Sequence, residues 1–313
     1  IRDRIYGVHP LQVVAYIGGA TAAFAGVVAV INNDVKGVLA YSTISHLGLL
    51  MLALGVYAYP AALFHLLNHA FFKAELFLVS GCVLHATHDI RDLHRLGGIK
   101  DKMGATWLAA LLGALAISGI FPLAGGFWSK DEILAGVAHT GDIILFILGL
   151  IAAVTGALYI FRWFFLIFYG EPKSKEAEHA HEMPLVMIVP VAILAGGAIA
   201  WGIPIIYEGG IVPVGMLLVE GFAEFHHVAS TSAIVSHEII AALTLGLGWL
   251  GFALMLYVYE RARIDFSKYP TLIRVQGIFQ QGTFIDKAYD KLAELFARAF
   301  SWLAVKADAA IDR

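Results

Sequence analysis

Three basic side chains recur at four-residue spacing in a stretch that is otherwise strongly apolar. His65, His69 and Lys73 stand in the run FHLLNHAFFKAELFLVSG. In a helix this spacing places all three on one face, spread over roughly 12 Å along the axis. Ionisable groups are costly inside a bilayer and by default indicate function there. Because imidazole titrates near physiological pH and a partly desolvated lysine is a plausible relay partner, we expect these groups to transfer protons.

Two other roles are open for this stripe. Histidines at positions i and i+4 can bind zinc, but zinc needs a third ligand and no nearby acid completes such a motif. Hydrogen-bonded histidines can also simply hold helices together within a membrane.

A second lysine inside the apolar sequence, Lys130, follows the helix-breaking run FPLAGGF. One helix over 105–139 would be about 52 Å long, well beyond a hydrocarbon core of ~30 Å. Pro122 and the glycines around it favour a break, so we predict two half-helices. Ser129 and Glu132 match a capping box, which would start the second half at Lys130. Broken helices of this kind often mark ion sites in transporters.

In a first helical turn, the charge of Lys130 would be subject to two opposite electrostatic effects. The positive end of the helix dipole disfavours its charge, whereas Asp131 and Glu132 attract it. We therefore expect a lysine that can exchange its proton. The alternative is a boundary lysine whose ammonium extends to water and pairs with those two acids.

Another polar stretch opens the second apolar run, NNDVKGVLAYSTISHLG. His46 lies ten residues beyond Lys36, which corresponds to about 15 Å along a helix. We expect this pair to link the inner membrane surface to the membrane middle. The hydroxyls of Ser42, Thr43 and Ser45 lie between them, although such hydroxyls also bond back to their own helix.

The elements that carry these residues are predicted to be membrane helices. Hydrophobic residues make up 59% of the chain and charged residues 14%, against roughly 25% charged in an average globular protein. A spanning helix needs about 20 apolar residues. The composition predicts an all-α, polytopic transmembrane bundle with one broken helix. Seven stretches qualify as spans: 11–32, 36–57, 60–86, 105–139, 142–169, 184–205 and 237–259.

The lysine and arginine distribution predicts the orientation of these spans. Basic residues cluster in the loops after spans one, three, five and seven, and the opposite loops carry almost none. By the positive-inside rule the basic loops are cytoplasmic, so the chain begins outside and span seven ends inside. From Phe284, apolar residues recur at three- and four-residue steps, which predicts an amphipathic lateral helix on the cytoplasmic side. This helix would be either an interfacial anchor or a brace along partner subunits.

Three motifs carry a family resemblance: VKGVLAYSTISHLG, HLLNHAFFKAELFLVSG and FPLAGGFWSKDEIL. With them the sequence resembles the antiporter-like subunits of respiratory complex I, in particular the distal L-type class (the mitochondrial ND-five class). The resemblance covers nearly the whole chain and weakens through 170–235. It implies a five-helix proton-channel repeat over 1–170, two additional transmembrane helices over 171–260, and the start of the lateral helix over 261–313.

The resemblance also implies a function and assigns roles to residues. The chain would be a proton-translocating, non-redox subunit of an NADH:quinone oxidoreductase. Lys73 matches the central relay of the family and Lys130 its terminal proton site. His65 and His69 match the histidines that precede the central lysine, and Lys36 matches the family's lysine at the entry. His46 stands where many relatives carry glutamine and Glu75 where an apolar residue is usual.

Expectations for cofactors, partners and location follow. The sequence contains no glycine-rich dinucleotide loop and no cysteine cluster for iron–sulfur chemistry. We therefore expect no cofactor in this chain, and NADH, FMN, iron–sulfur clusters and quinone in other subunits. The expected partners are neighbouring membrane subunits, especially another antiporter-like subunit, together with the lipid bilayer and protons, but no nucleic acid. The expected location is a bacterial or archaeal cell membrane rather than the mitochondrial inner membrane.

Two alternatives to this function stay open. The same motifs occur in Mrp-type cation/proton antiporters and in relatives that serve hydrogenases or inorganic-carbon uptake. A purely structural membrane scaffold would use the polar residues only to hold helices together. The family's first repeat, and the last span that follows its lateral helix, do not occur in this sequence. We therefore expect the chain to be the interior of a longer protein and half of a working channel.

Overall fold

The fold is all-helical, as the composition predicts. The computed structural model describes residues 9–200, 202, 237–261, 277, 291, 293–298, 300 and 301. Over that part of the chain the regular elements are helices, and one isolated bridge pairs Asp34 with Asp92. The α-helices are α1 (Pro10–Ile31), α2 (Val35–Gly55), α3 (Tyr59–Ala86), α4 (Gly104–Ser118), α5 (Gly125–His139), α6 (Ile143–Phe168), α7 (Lys175–Glu178), α8 (Leu185–Ala200) and α9 (His237–Leu256).

These helices match the predicted spans closely. Five of the described helices, namely α1, α2, α3, α6 and α9, are long and apolar enough to cross a membrane, and α4 and α8 are shorter apolar helices. The prediction of an all-α membrane bundle is therefore confirmed. The sixth predicted span is helical over Leu185–Ala200, and the 206–236 connection lies outside the described residues. The chain divides into two compact units, Ile1–Ile264 and Asp265–Arg313.

Most of the predicted lateral helix over 261–313 lies outside the described residues. Within it, residues 293–298 are helical. Glu294 and Arg298 form an i, i+4 ion pair with a nitrogen–oxygen distance of 3.7 Å. This spacing is the one that brings opposite charges together on a helix surface.

Acidic side chains begin several of the helices. Asp34 starts α2 and accepts a hydrogen bond from the Gly37 N–H at 2.5 Å. Asp142 starts α6 in the same way and accepts two bonds from its first turn. The first turn of α4 is capped by a residue distant in sequence, because the Ala105 N–H donates to the Glu182 carboxylate at 2.7 Å. Each carboxylate satisfies backbone N–H groups that have no partner inside the helix.

Small residues let α1 and α2 cross with their backbones in contact. A Cβ atom placed on Gly48 would lie 2.6 Å from the backbone nitrogen of Ala22 and 2.7 Å from the Gly18 carbonyl oxygen. A Cβ on Gly18 would in turn lie 2.8 Å from the Gly48 carbonyl oxygen. Only a hydrogen fits at either position. Close backbone approach of this kind is what gives dispersion its strength between membrane helices.

The break predicted within 105–139 is confirmed. Helix α4 ends at Ser118 and is followed by Gly119, whose φ of 74° lies in the left-handed region that glycine adopts without strain. Helix α5 begins six residues later, at Gly125. The indole of Trp128 donates a hydrogen bond to the Pro122 carbonyl at 2.7 Å, which satisfies one backbone acceptor of the break.

The predicted capping box at the start of α5 is wrong. The N-cap of α5 is Ala124, which supplies no side-chain cap, and the helix is already in its second turn at Ser129. The Gly125–Gly126 pair explains the early start, since a side chain on Gly126 would overlap the backbone of α4. Lys130 is consequently the sixth residue of the helix, and the N-terminal dipole argument no longer applies to it.

A buried arginine that the sequence interpretation did not single out connects three parts of the bundle. Arg162 in α6 is 7% exposed and donates to the Asn32 carbonyl at 2.6 Å and to the Asn33 side chain. Its Nε donates to the Tyr259 hydroxyl at 3.1 Å, within the π-helical turn that ends α9. The guanidinium thus joins the α1–α2 turn to α6 and α9 through charge-assisted hydrogen bonds.

The glycine crossing yields a stability prediction. Replacing Gly48 with alanine overpacks the α1–α2 contact and should cost about 1–3 kcal/mol. Gly81, in α3, is the matched control, because nothing lies within 4 Å of a Cβ built there. Gly81→Ala should be neutral or stabilising by up to ~1 kcal/mol, from helix propensity alone. Thermal unfolding of the two variants in detergent measures the difference, and equal melting temperatures would contradict the described crossing.

Candidate functional site

Four of the six protonatable side chains named from the sequence converge where α2, α3, α5 and α6 meet. His65 is fully buried, and His46, Lys73 and Lys130 are each at most 5% exposed. They come from three helices, and α6 closes the cluster. The cluster lies inside the protein, so its polar atoms depend on protein partners for their hydrogen bonds.

Two stacked imidazoles form the centre of the cluster. Nδ1 of His46 lies 3.0 Å from Nε2 of His65, and the rings are nearly parallel with centroids 5.1 Å apart. A neutral imidazole carries one N–H donor and one acceptor nitrogen. One ring therefore donates to the other, and which one donates depends on the tautomers. This pairing joins α2 to α3.

Each ring has a hydroxyl as its second partner. Nδ1 of His65 lies 3.0 Å from the Ser129 hydroxyl of α5. Nε2 of His46 lies 3.1 Å from the Tyr159 hydroxyl of α6. The result is a continuous line Ser129–His65–His46–Tyr159 across four helices. Every member is both donor and acceptor, so the line can reverse its hydrogen-bond direction as a proton passes.

Lys73 belongs to the same cluster through α2. Its ammonium donates to the Ser42 hydroxyl and, at 3.4 Å, to the Leu39 carbonyl. Ser42 itself donates to the Leu39 carbonyl at 2.8 Å. Ser42 therefore holds the lysine against α2, the helix that also carries His46.

Lys130 approaches the cluster from the other side. A Cβ atom built on Gly156 would lie 3.2 Å from the Lys130 Nζ and 3.9 Å from the Tyr159 hydroxyl. The ammonium and the hydroxyl thus face the same small gap, which exists because position 156 has no side chain.

The ammonium of Lys130 is stabilised by the broken helix. It donates to the Ile117 carbonyl, in the last turn of α4. The carbonyls of a last turn lack helical partners and form the negative end of the helix dipole, which favours a cation. The alternative of a boundary lysine extending to water does not hold, because the side chain is 5% exposed.

Two of the residues proposed from the sequence, His69 and Lys36, have no described hydrogen bond to the cluster. The His69 ring lies 5.5 Å from that of His46 between centroids, but its buried Nε2 has no hydrogen-bond partner among the described residues. Lys36 is half-buried at the start of α2, and no described hydrogen bond joins it to the cluster. The stripe His65–His69–Lys73 therefore shares one face of α3, while its hydrogen bonds run to other helices.

Sequence reasoning did not identify Tyr159 as a member of the cluster, and it assigned Ser129 to a helix cap instead of to the His65 ring. Tyr159 is hidden in the apolar run ALYIFRWFF. The available signal was the residue type, because a tyrosine hydroxyl buried in a membrane helix needs a partner. Among the described residues no group of three histidine, cysteine or acidic side chains converges in a way that would hold a metal ion.

Comparison with known proteins adds independent evidence. The family described as NADH:quinone oxidoreductase/Mrp antiporter, transmembrane, matches residues 5–156. NADH-quinone oxidoreductase subunit L of Rickettsia bellii is 44% identical over 195 residues, which is 62% of this chain and 30% of that protein. F(420)H(2) dehydrogenase subunit L of Methanosarcina mazei is 40% identical over 252 residues, 75% of this chain and 35% of that protein.

A solved structure supports the fold. The Mrp complex from Dietzia sp. DQ12-45-1b contains a chain that aligns with a TM-score of 0.59 and 20% identity, covering 95% of this chain and 33% of that one. The present chain spans about a third of the length of these relatives. The matched region includes the helices that carry the histidine pair and both buried lysines. Residues 5–156 therefore match the family of membrane subunits shared by NADH:quinone oxidoreductases and Mrp antiporters.

Proposed function

We propose that this chain conducts protons within a redox-driven membrane pump of the NADH:quinone oxidoreductase type. The observation that carries the proposal is the buried line of hydrogen-bonding groups Ser129–His65–His46–Tyr159, in a cluster that also buries Lys73 and Lys130. Two exchangeable cations in a membrane interior are costly to maintain for structure alone. Protonatable groups linked by hydroxyls and imidazoles are the elements that proton transfer needs.

Repulsion between the lysines gives the path a way to store and release charge. Two like charges in one buried cluster disfavour each other, so a proton bound by one lysine would favour release from the other. A proton that reaches Lys73 through Ser42 would therefore promote release at Lys130. Tyr159 lies between the two ends, since its hydroxyl contacts His46 and faces the same gap as the Lys130 ammonium.

The ends of the path follow from the predicted orientation. Lys36 lies in the first turn of α2, at the end that the positive-inside rule places in the cytoplasm. We assign it to proton entry, with the Leu39 carbonyl and Ser42 one and two turns further along the same helix. His46 receives the proton at mid-depth, His65 and His69 pass it laterally, and Lys130 holds it before release.

Electron carriers belong to other subunits in this proposal. NADH or another donor, flavin, iron–sulfur clusters and quinone would bind elsewhere, and a neighbouring antiporter-like subunit would pack beside this chain in a bacterial or archaeal cell membrane. The relatives named for different electron donors support this division, because the family's membrane domain is shared while the donor differs. The lateral helix would lie on the cytoplasmic side.

A second candidate is a subunit of an Mrp-type cation/proton antiporter. The family description names both kinds of complex, which favours keeping this alternative. The two differ in whether Na⁺ is transported. If the chain serves a proton pump, proton uptake by the reconstituted complex should persist at full rate when Na⁺ is replaced by choline. Proton movement that requires Na⁺ would favour the antiporter instead.

Substitutions of Lys73 separate proton transfer from a scaffold role. Lys73→Ala removes the central exchangeable group and should lower proton pumping by about a hundredfold. Lys73→Arg keeps the positive charge but does not release its proton, so most pumping should also be lost. Pumping is measured as acidification of proteoliposomes per electron transferred by the intact complex. Full pumping by Lys73→Arg would support the scaffold.

Tyr159 supplies a test of the connection itself. Tyr159→Phe deletes one hydroxyl and should lower the pumping rate about tenfold, the factor that corresponds to ~1.4 kcal/mol of lost hydrogen bonding. Tyr41→Phe in α2 is the control, because Tyr41 is half-buried and outside the line of hydrogen bonds. Equal pumping by the two variants would show that the path bypasses Tyr159.

A further inference from the structure

The backbone of the break between α4 and α5 lies directly against the side chain of Lys130. A Cβ atom built on Gly119, the residue that follows α4, would lie 3.3 Å from Cδ of Lys130 and 3.7 Å from its Nζ. The Ile117 carbonyl, two residues earlier, accepts the hydrogen bond from the ammonium. A displacement of this backbone would therefore change both the hydrogen bond and the packing of the ammonium.

The next residue of the break, Ile120, is in contact with α9. Ile120 is fully buried, and a Cβ atom built on Gly248 of α9 would overlap its Cγ2 methyl group. The methyl group thus occupies the space that a side chain at position 248 would need. Because isoleucine is branched at Cβ, few rotamers are open to it and the methyl cannot easily turn aside. The position of α9 consequently constrains Ile120 and, through the chain, Gly119.

Helix α9 is fixed to α6 close to this contact. A Cβ atom built on Gly251, one turn further along α9, would lie 3.2 Å from the Cβ of Ala157. The next residue, Phe252, packs edge to face on Phe161, with ring centroids 4.7 Å apart. The hydrogen bond from the buried guanidinium of α6 adds a further connection at the end of α9. Small residues and aromatic packing together hold the two helices in one register.

The end of α8 contacts the other side of the break. A Cβ atom built on Gly202, just beyond α8, would overlap the carbonyl oxygen of Leu123. Helices α8 and α9 lie within the two additional spans predicted over 171–260. Both ends of the break are therefore packed against helices that follow the predicted five-helix repeat.

The effect of these two helices on the break is steric. Helix α8 contains no ionisable residue, and α9 contains none between Ile239 and Leu256. The titratable groups of the cluster come from α2, α3 and α6, namely His46, His65, Lys73 and Tyr159. Helix α9 can therefore alter the surroundings of the terminal lysine only by moving the backbone of the break.

We propose that α9 positions the terminal lysine of the path, with Ile120 as the positioning residue. Packing of α9 on Ile120 holds Gly119 against the lysine side chain. The ammonium is thereby kept on the Ile117 carbonyl and beside the Tyr159 hydroxyl. This inference rests on the proposed function, in which Lys130 holds the proton before release. It gives α9, which lies outside the predicted repeat, a defined part in proton transfer.

Two glycines of α9 provide a matched pair of variants. Gly248→Ala adds a methyl group that overlaps Ile120, and it should lower the pumping rate of the intact complex about tenfold, the factor expected when a hydrogen bond to a charged group is weakened. Gly246→Ala is the control, because nothing lies within 4 Å of a Cβ atom built there. Its pumping rate should equal that of wild type. Equal pumping by the two variants would overturn the proposal.

Substitutions of Ile120 test the contact from the side of the break. Ile120→Ala removes the support of Gly119 and should also lower pumping, whereas Ile120→Val keeps the Cγ2 methyl and should restore most of it. The double variant Gly248→Ala/Ile120→Ala moves a methyl group from the break to α9. It should pump faster than either single variant, because residues in contact have non-additive effects. A double variant no better than Gly248→Ala would contradict the proposal.

A pH profile of pumping distinguishes positioning from a general loss of stability. Lost stability lowers the pumping rate by the same factor at every pH, whereas a lysine displaced from its carbonyl exchanges its proton at a different pH. The pH of half-maximal pumping should move by roughly one unit in Gly248→Ala. It should return towards the wild-type value in the double variant. A loss of pumping that is the same at every pH would mean a merely structural contact and would refute the positioning role.

The outcome is separable from that of the proposed function. Lys73→Ala leaves the break and α9 unchanged and is measured in the same preparations. Loss of pumping in Lys73→Ala, together with equal pumping by Gly248→Ala and Gly246→Ala, would overturn the inference and leave the proposed function intact. Normal pumping in Lys73→Ala would instead remove the proposed function on which the inference rests.

Discussion

A polar atom buried in a membrane protein must obtain its hydrogen bonds from the protein, and this constraint shapes the whole bundle. The ammonium of Lys73 is compensated by a serine hydroxyl and a carbonyl of α2. The ammonium of Lys130 is compensated by the Ile117 carbonyl, which has no helical partner because α4 ends at Ser118. The histidines compensate one another and two hydroxyls. In the proposed function, the groups that compensate these cations would also transfer protons, so stability and conduction would depend on the same bonds.

Glycine provides the space in which this compensation takes place. The gap beside Gly156 brings Lys130 and Tyr159 together, and the gap beside Gly113 accommodates the Glu75 carboxyl. At the α1–α2 crossing the small residues have a different purpose, because there they bring backbones into contact and make the scaffold rigid. Because α5 begins at Gly125, packed against α4, the Ser129 hydroxyl lies within hydrogen-bond distance of the His65 ring. The positions of the side chains in the cluster therefore depend on glycines, which leave room for them.

Residue spacing within one helix can be predicted from the sequence, whereas the packing of one helix against another cannot be predicted in the same way. The spacing of His65, His69 and Lys73 fixes a common face, and apolar length predicts the spans, because both depend only on helix geometry. Which residue of a neighbouring helix meets that face depends on helix rotation and offset, which no local pattern encodes. Tyr159 was missed for this reason. The capping box at Ser129 failed because tight packing of two glycines against α4 started the helix one turn earlier than local capping preference indicated.

The central claim is that the buried cluster of two histidines and two lysines carries protons through the membrane interior. The most direct test is the number of protons ejected per electron pair by the intact complex carrying Lys130→Ala, measured in sealed vesicles beside wild type. The account predicts that the ratio falls while electron transfer without a proton gradient continues, because the terminal exchangeable group is missing. An unchanged ratio with alanine at position 130 would contradict it.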